Sequence, residues 1–209
     1  MASSRSAVNK TQDLALAVNR AARYFQNLLL FKNGLLSSAL EPCDLSGLLV
    51  QEIDLSNMAL GGLKASRAWL KNADLSWSEL TKADFCRAYL RGAKLNGAKL
   101  NEAKLTRAVL TGAELICAEL IYAKLDGAKL NEAELNYAEL TRAELIYAEL
   151  NYAKLNGAKL HYAKLHYAKL DGAKLNGAKL HYAKLLYAKL NDAELIGAEL
   201  NEAELNCAE

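Results

Sequence analysis

Ala-Lys-Leu-Asn-Gly-Ala-Lys-Leu-Asn-Glu-Ala-Lys-Leu, residues 93–105, is the stretch whose reading decides the fold. Leucine returns at every fifth residue, alanine stands two places before it, and a charged residue separates the two. Outward from this stretch the same beat runs from Leu40 to Leu205 without an insertion or deletion, thirty-four successive centres. Val50, Ala65 and Phe85 are the centres that are not leucine. From Ala83 onward the second apolar position is always alanine.

Alanine, leucine, lysine and glutamate are all strong helix formers, so propensity by itself predicts one long helix. The spacing forbids it. Five residues turn an α-helix by about 500°, which leaves each leucine about 140° away from the one before. The leucines would spiral around the whole surface and none could share a buried stripe. In an extended segment, residues two apart lie on one face. Ala-x-Leu then points both apolar groups inward, and the two residues that follow turn the chain. Five residues become one short side of a coil, stacked on the next at about 4.8 Å.

Ala-Lys-Leu-Asn-Gly (93–97), Ala-Asp-Leu-Ser-Trp (73–77) and Ala-Asp-Phe-Cys-Arg (83–87) resemble the repeat of the pentapeptide-repeat family, A-[DN]-L-x-x. The resemblance implies a right-handed quadrilateral β-helix with four pentapeptides per coil. The expected fold is therefore an all-β solenoid of about 8.5 coils over residues 37–209, roughly 40 Å long at the strand spacing. One departure stands out. Asp44, Asp54, Asp74 and Asp84 keep the family's residue before the centre, but from Lys94 onward that place is almost always Lys or Glu. Any hydrogen bond from Asp or Asn to the turn is expected to be lost there.

Residues 1–36 form a basic N-terminal segment. Within it Leu14, Val18, Ala21, Phe25, Leu28 and Leu29 fall on one helical face, with Thr11 as N-cap and Gly34 as stop. This predicts an N-terminal α-helical cap over about 11–33, because a solenoid end needs covering. The sequence ends at Glu209 inside a repeat, which leads us to expect a homodimer through the final coil.

Net charge is +2, with five basic residues against one acidic in 1–38 and a near-neutral repeat. This argues against whole-chain attraction to nucleic acid, and no apolar run is long enough to span a membrane. Cys43, Cys86, Cys117 and Cys207 show no metal-ligand spacing and read as separate thiols of a cytoplasmic protein. The Ser/Arg-rich start is a faint organellar signal.

With four sides per coil, residues twenty apart stack. Lys154, Lys159, Lys164 and Lys169 then ring one coil and Lys174, Lys179, Lys184 and Lys189 the next, with glutamate rings on either side. Tyr147, Tyr167 and Tyr187 line one corner; Tyr162 and Tyr182 line another, beside His161 and His181. These tyrosines, histidines and lysines are the candidate partner-binding surface. Two histidines without a third ligand make no metal site, and His166 falls on the next side. No nucleophile sits beside a base, no glycine loop follows a strand, and a leucine-filled interior leaves no pocket, so neither catalysis nor a cofactor is expected. The reading is a non-catalytic scaffold that binds another protein. The family's DNA mimics, which protect type II topoisomerases and confer quinolone resistance, supply an alternative, but their acidic stripes are missing here. A self-assembling spacer is the third.

Overall fold

The computed structural model describes residues 44–209. The expected capping helix, and with it all of 1–43, lies outside the described residues. Within 44–209 the chain winds as a β-helix with four five-residue sides per coil. Each residue before a centre bridges in parallel to the residue twenty later, as in Lys94 with Glu114 and Glu114 with Glu134. Four sides of five residues close one turn, so the four-sided coil expected from the resemblance is present.

The core follows from the two inward positions. Ala93 to Ala188 and Leu90 to Leu185 are essentially fully buried. Each leucine so placed contributes about 1.5–3 kcal/mol relative to exposure. In the first coils the volumes are traded between the two positions: Leu63 is buried at the usual alanine place and Ala65 at the centre that follows it. Phe85 fills its centre completely. Ser78 stands at an alanine place and is buried because its hydroxyl donates to the Leu55 carbonyl at 2.7 Å.

The corners carry the conformational cost. Every second corner residue, from Gly47 to Cys207, has φ between 55° and 71°, and most are not glycine. From Leu63 onward the N–H two places before a centre closes each turn; Ala98 N donates to Leu95 O at 3.1 Å. A positive φ confined to the third residue of such a turn is the type II pattern. A side chain there costs on the order of 1–2 kcal/mol. Coil stacking offsets it: per side, three further N–H groups bond to a neighbouring coil, as Leu95 N to Glu114 O at 2.7 Å, Gly97 N to Ile116 O at 2.9 Å and Glu114 N to Ala93 O at 2.9 Å.

The fifth N–H, at the first corner residue, has two solutions along the rod. In the early coils Asp54, Asp74 and Asp84 accept it from Ser56, Ser76 and Cys86, two residues on. Where lysine or glutamate has replaced that aspartate, an Asn or Asp at the first corner of the preceding coil takes over at nine of the sides. Asn96 accepts from Ile116 N at 2.9 Å, Asp126 from Ile146 N at 3.0 Å, and Asn136 and Asn156 from Asn156 N and Asn176 N at 3.1 Å. The turn bond lost by the departure from the family pattern is thus replaced, at those sides, by a ladder between coils.

The interior also corrects the expectation that no cavity is left. Leu145 through Leu205 line an apolar cavity of about 80 Å³ along the axis, open toward the last coil, where Leu205 is exposed. Four isobutyl groups meeting from four sides do not quite fill the centre.

Candidate interaction surface

Outward positions form columns because the coil length is constant. In a coil, the residue before each centre and the one after it project from the same side. The second corner residue, in the left-handed region, projects at the edge between two sides.

The eight lysines do not form a free belt. Lys154, Lys159, Lys164 and Lys169 reach back to Glu134, Glu139, Glu144 and Glu149 at 2.6, 2.8, 2.9 and 3.8 Å. Lys174, Lys179, Lys184 and Lys189 reach forward to Glu194, Glu199, Glu204 and Glu209 at 3.3 to 3.8 Å. The two lysine coils therefore lean apart, each toward its glutamate ring, which relieves the repulsion between them. Exposed pairs of this kind contribute about 0–1 kcal/mol each. Burial would raise the Glu139 carboxyl, but hydrogen bonds from Lys159 and Thr141 outweigh it and hold the group below its ordinary value. Lys159 is correspondingly raised, first by its bond to Glu139.

The aromatic columns are continuous. Tyr147, Tyr167 and Tyr187 stack with ring centroids 4.9 and 5.1 Å apart. Tyr162 and Tyr182 stack at 4.9 Å and are 4° from parallel. His161 and His181 stack beside them at 5.0 Å, and His181 Nε2 lies 2.6 Å from Glu199. That bond, and then Lys179, lowers the Glu199 carboxyl. Desolvation, followed by His181 and two lysines, lowers His161. His166 lies on the next side, as its position predicts, and its Nδ1 is buried without a partner among the described residues.

Sequence reasoning missed how the column of Tyr162 continues. Arg142 lies between Tyr122 and Tyr162, its guanidinium 5.5 and 5.4 Å from their ring centres, and it donates to the Tyr122 hydroxyl. Reading the sequence in steps of twenty finds it. The same step shows why some corners are glycine. Three large rings that no second ring follows lie over a glycine: Trp77 over Gly97, Tyr137 over Gly157, Tyr152 over Gly172. Among the described residues, no group of three metal-ligating side chains converges, and no helix is long and apolar enough to cross a membrane.

The sequence matches the family profile described as pentapeptide repeats, in eight copies, over 68–107, 93–131, 123–161, 138–177, 159–195 and 173–208. The chain belongs to the pentapeptide-repeat family. Among solved structures it is similar to HetL, a pentapeptide repeat protein involved in heterocyst differentiation regulation from the cyanobacterium Nostoc sp. strain PCC 7120. That likeness is 34% identical, covers 78% of this chain and 89% of HetL, and has a TM-score of 0.34. QnrB1, a plasmid-mediated fluoroquinolone resistance protein, is 19% identical over 78% of this chain and 89% of its own, with a TM-score of 0.47. A pentapeptide repeat protein from the Arabidopsis thaliana thylakoid lumen is 26% identical, over 51% of this chain and 67% of its own, with a TM-score of 0.28. No curated protein matches by sequence.

Proposed function

We propose that the protein is a non-catalytic scaffold of the cytoplasm that binds another protein through the tyrosine and histidine columns of residues 147–187. The observation that carries this reading is the ladder geometry. Tyr147, Tyr162, Tyr167, Tyr182 and Tyr187 are 41–62% exposed, yet each is packed against a stacked neighbour. Large aromatic groups held in one orientation lose little entropy on binding, which is why they serve as anchors of protein interfaces. The lysines of the same coils stand beside them as a rim already balanced by glutamate, suited to setting orientation rather than supplying affinity.

The charge layout supports this over mimicry of duplex DNA. Each column of outward charges passes through glutamate, lysine, lysine and glutamate, as Glu134, Lys154, Lys174 and Glu194 do, so acid does not run along the rod. Affinity capture with the full chain, compared with a Tyr162→Ser, Tyr167→Ser, Tyr182→Ser, Tyr187→Ser variant, tests the reading. Proteins held by the parent and lost by the variant are expected. An identical captured set would overturn the assignment of the surface, and relief of quinolone inhibition in a gyrase supercoiling assay would overturn the function.

A further inference from the structure

The other half of the rod carries a face of different chemistry. Leu49, Trp69, Tyr89 and Val109 stand twenty residues apart at the outward position of one side, and they form one column. That column faces solvent: Leu49 is 72% exposed, Trp69 43% and Tyr89 42%. Elsewhere this position is mostly charged, and the same column reverts to Lys129, Glu149, Lys169 and Lys189 beyond Val109. The apolar strip is therefore bounded, spanning three coil spacings or about 14 Å.

Cations flank it on both edges. Arg67, Arg87 and Arg107 occupy the preceding corner in consecutive coils, each exposed and each in the left-handed conformation. Lys71 and Arg91 occupy the following corner, two residues past Trp69 and Tyr89. Among the described residues, no carboxylate forms an ion pair with any of these five, in contrast to the eight lysines of the later coils. Two acids border the face: Glu52, at the far corner of the first of these sides, and Asp126, which lines a groove with Arg107.

We propose that this face binds an acidic amphipathic α-helix of another protein, laid along the rod with its apolar stripe on Leu49, Trp69, Tyr89 and Val109. Three arguments carry this. Charge complementarity is the first: five unpaired cations on two flanks call for carboxylates on both sides of an apolar stripe. Size is the second. The ranks of Arg67 and Lys71 are four residues apart along an extended side, about 13 Å, and a helix with side chains is about 10–12 Å wide. Some ten helical residues match the length of the strip. The third argument excludes the main competitor. Trp69 and Tyr89 stack on each other with centroids 4.4 Å apart and 19° between planes. Leu49 precedes and Val109 follows them in the column, so the stacked rings turn their faces along the rod and toward each other. A single-stranded nucleic acid needs free ring faces to stack its bases. The chain's own N-terminal segment, with its excess of basic residues, has the wrong charge for the site.

The face adjoins the tyrosine surface at one corner, where Arg107, Gly127 and Tyr147 line a shared groove. The two readings are told apart because the four-tyrosine variant spares Tyr147 and the charge reversals spare every tyrosine. A displayed library of helical peptides with varied flanks, selected on the full chain, supplies the probes. Selected peptides are expected to carry an apolar stripe with Asp or Glu on both flanks. They should quench or shift Trp69 fluorescence in a Trp77→Phe background, where Trp69 is the single indole. Arg67→Glu, Arg87→Glu, Arg107→Glu together should weaken binding at least about tenfold. Glutamate is already tolerated at such corners at Glu102, Glu132 and Glu202, so the variant should fold. Lys71→Glu with Arg91→Glu tests the other flank independently. The four-tyrosine variant should leave peptide binding unchanged. Selection without acidic enrichment, binding unaffected by both charge reversals, or tighter binding of a dT15 oligonucleotide or of phosphatidylserine vesicles would each overturn the proposal.

Discussion

Gly157 and Gly177 occupy the same corner in adjacent coils, with φ of 65° and 66°, and differ in what lies over them. A Cβ built on Gly177 meets nothing within 4 Å, whereas one on Gly157 falls 2.7 Å from two ring atoms of Tyr137. Gly177→Ala therefore carries only the left-handed cost of about 1–2 kcal/mol, reduced by the smaller entropy of the unfolded chain, for a net loss of about 0.5–1 kcal/mol. Gly157→Ala carries that cost and also drives the ring off its seat. Tyr137 is 67% exposed, so about a third of its surface is at stake. For a ring that buries 150–250 Å² when fully covered, a third at about 25 cal/mol per Å² is about 1–2 kcal/mol. Urea unfolding of the two variants, compared at unchanged slope, should show that difference. It should vanish in a Tyr137→Ala background. Equal losses at the two corners, or a gap that survives removal of the ring, would refute the idea that glycine is placed here to seat an aromatic side chain.

Leu165→Phe should raise the melting temperature by partly filling the axial cavity, with at most about 2 kcal/mol available from 80 Å³ at about 24 cal/mol per Å³. A clear destabilisation would show the leucines already to be close-packed. Asn156→Ala leaves the Asn176 N–H without its acceptor and should cost about 1–3 kcal/mol, whereas Asn156→Asp should be nearly neutral because Asp171 does the same for Asn191. Thermal unfolding reads both, and equal effects would remove the ladder from the account. His161 is held below its usual value of 6.5, so the folded state prefers the neutral ring. Its contribution is complete above pH 6.5 and is lost as pH falls through the folded value. Melting temperature should therefore drop between pH 7.5 and 5.5, and less so in His161→Asn; an unchanged slope in that variant would count against it.

The inward columns were legible because they depend on residue type alone. Ala-x-Leu on a five-residue beat admits one extended solution, so the solenoid and the buried leucines follow from counting, while the stacking of Tyr147, Tyr167 and Tyr187 needed the four-sided coil that the family resemblance implied. The lysine belt was not legible as it stands. Counting places Lys154 over Lys174, but only side-chain reach decides that each turns away to a glutamate. The axial cavity was missed for a similar reason, since four leucines per layer say nothing of whether their ends touch.

The face of Leu49, Trp69, Tyr89 and Val109 lies between these cases. Its residues are spaced by twenty in the sequence, yet each is unremarkable in its own repeat, and their union appears only once the coil closes. Local spacing along the chain thus determined which groups point inward and how far the chain travels per side. Closure into a coil decided what stands above what, because neighbours twenty residues apart are brought within one strand spacing only by the hydrogen bonds that stack the coils.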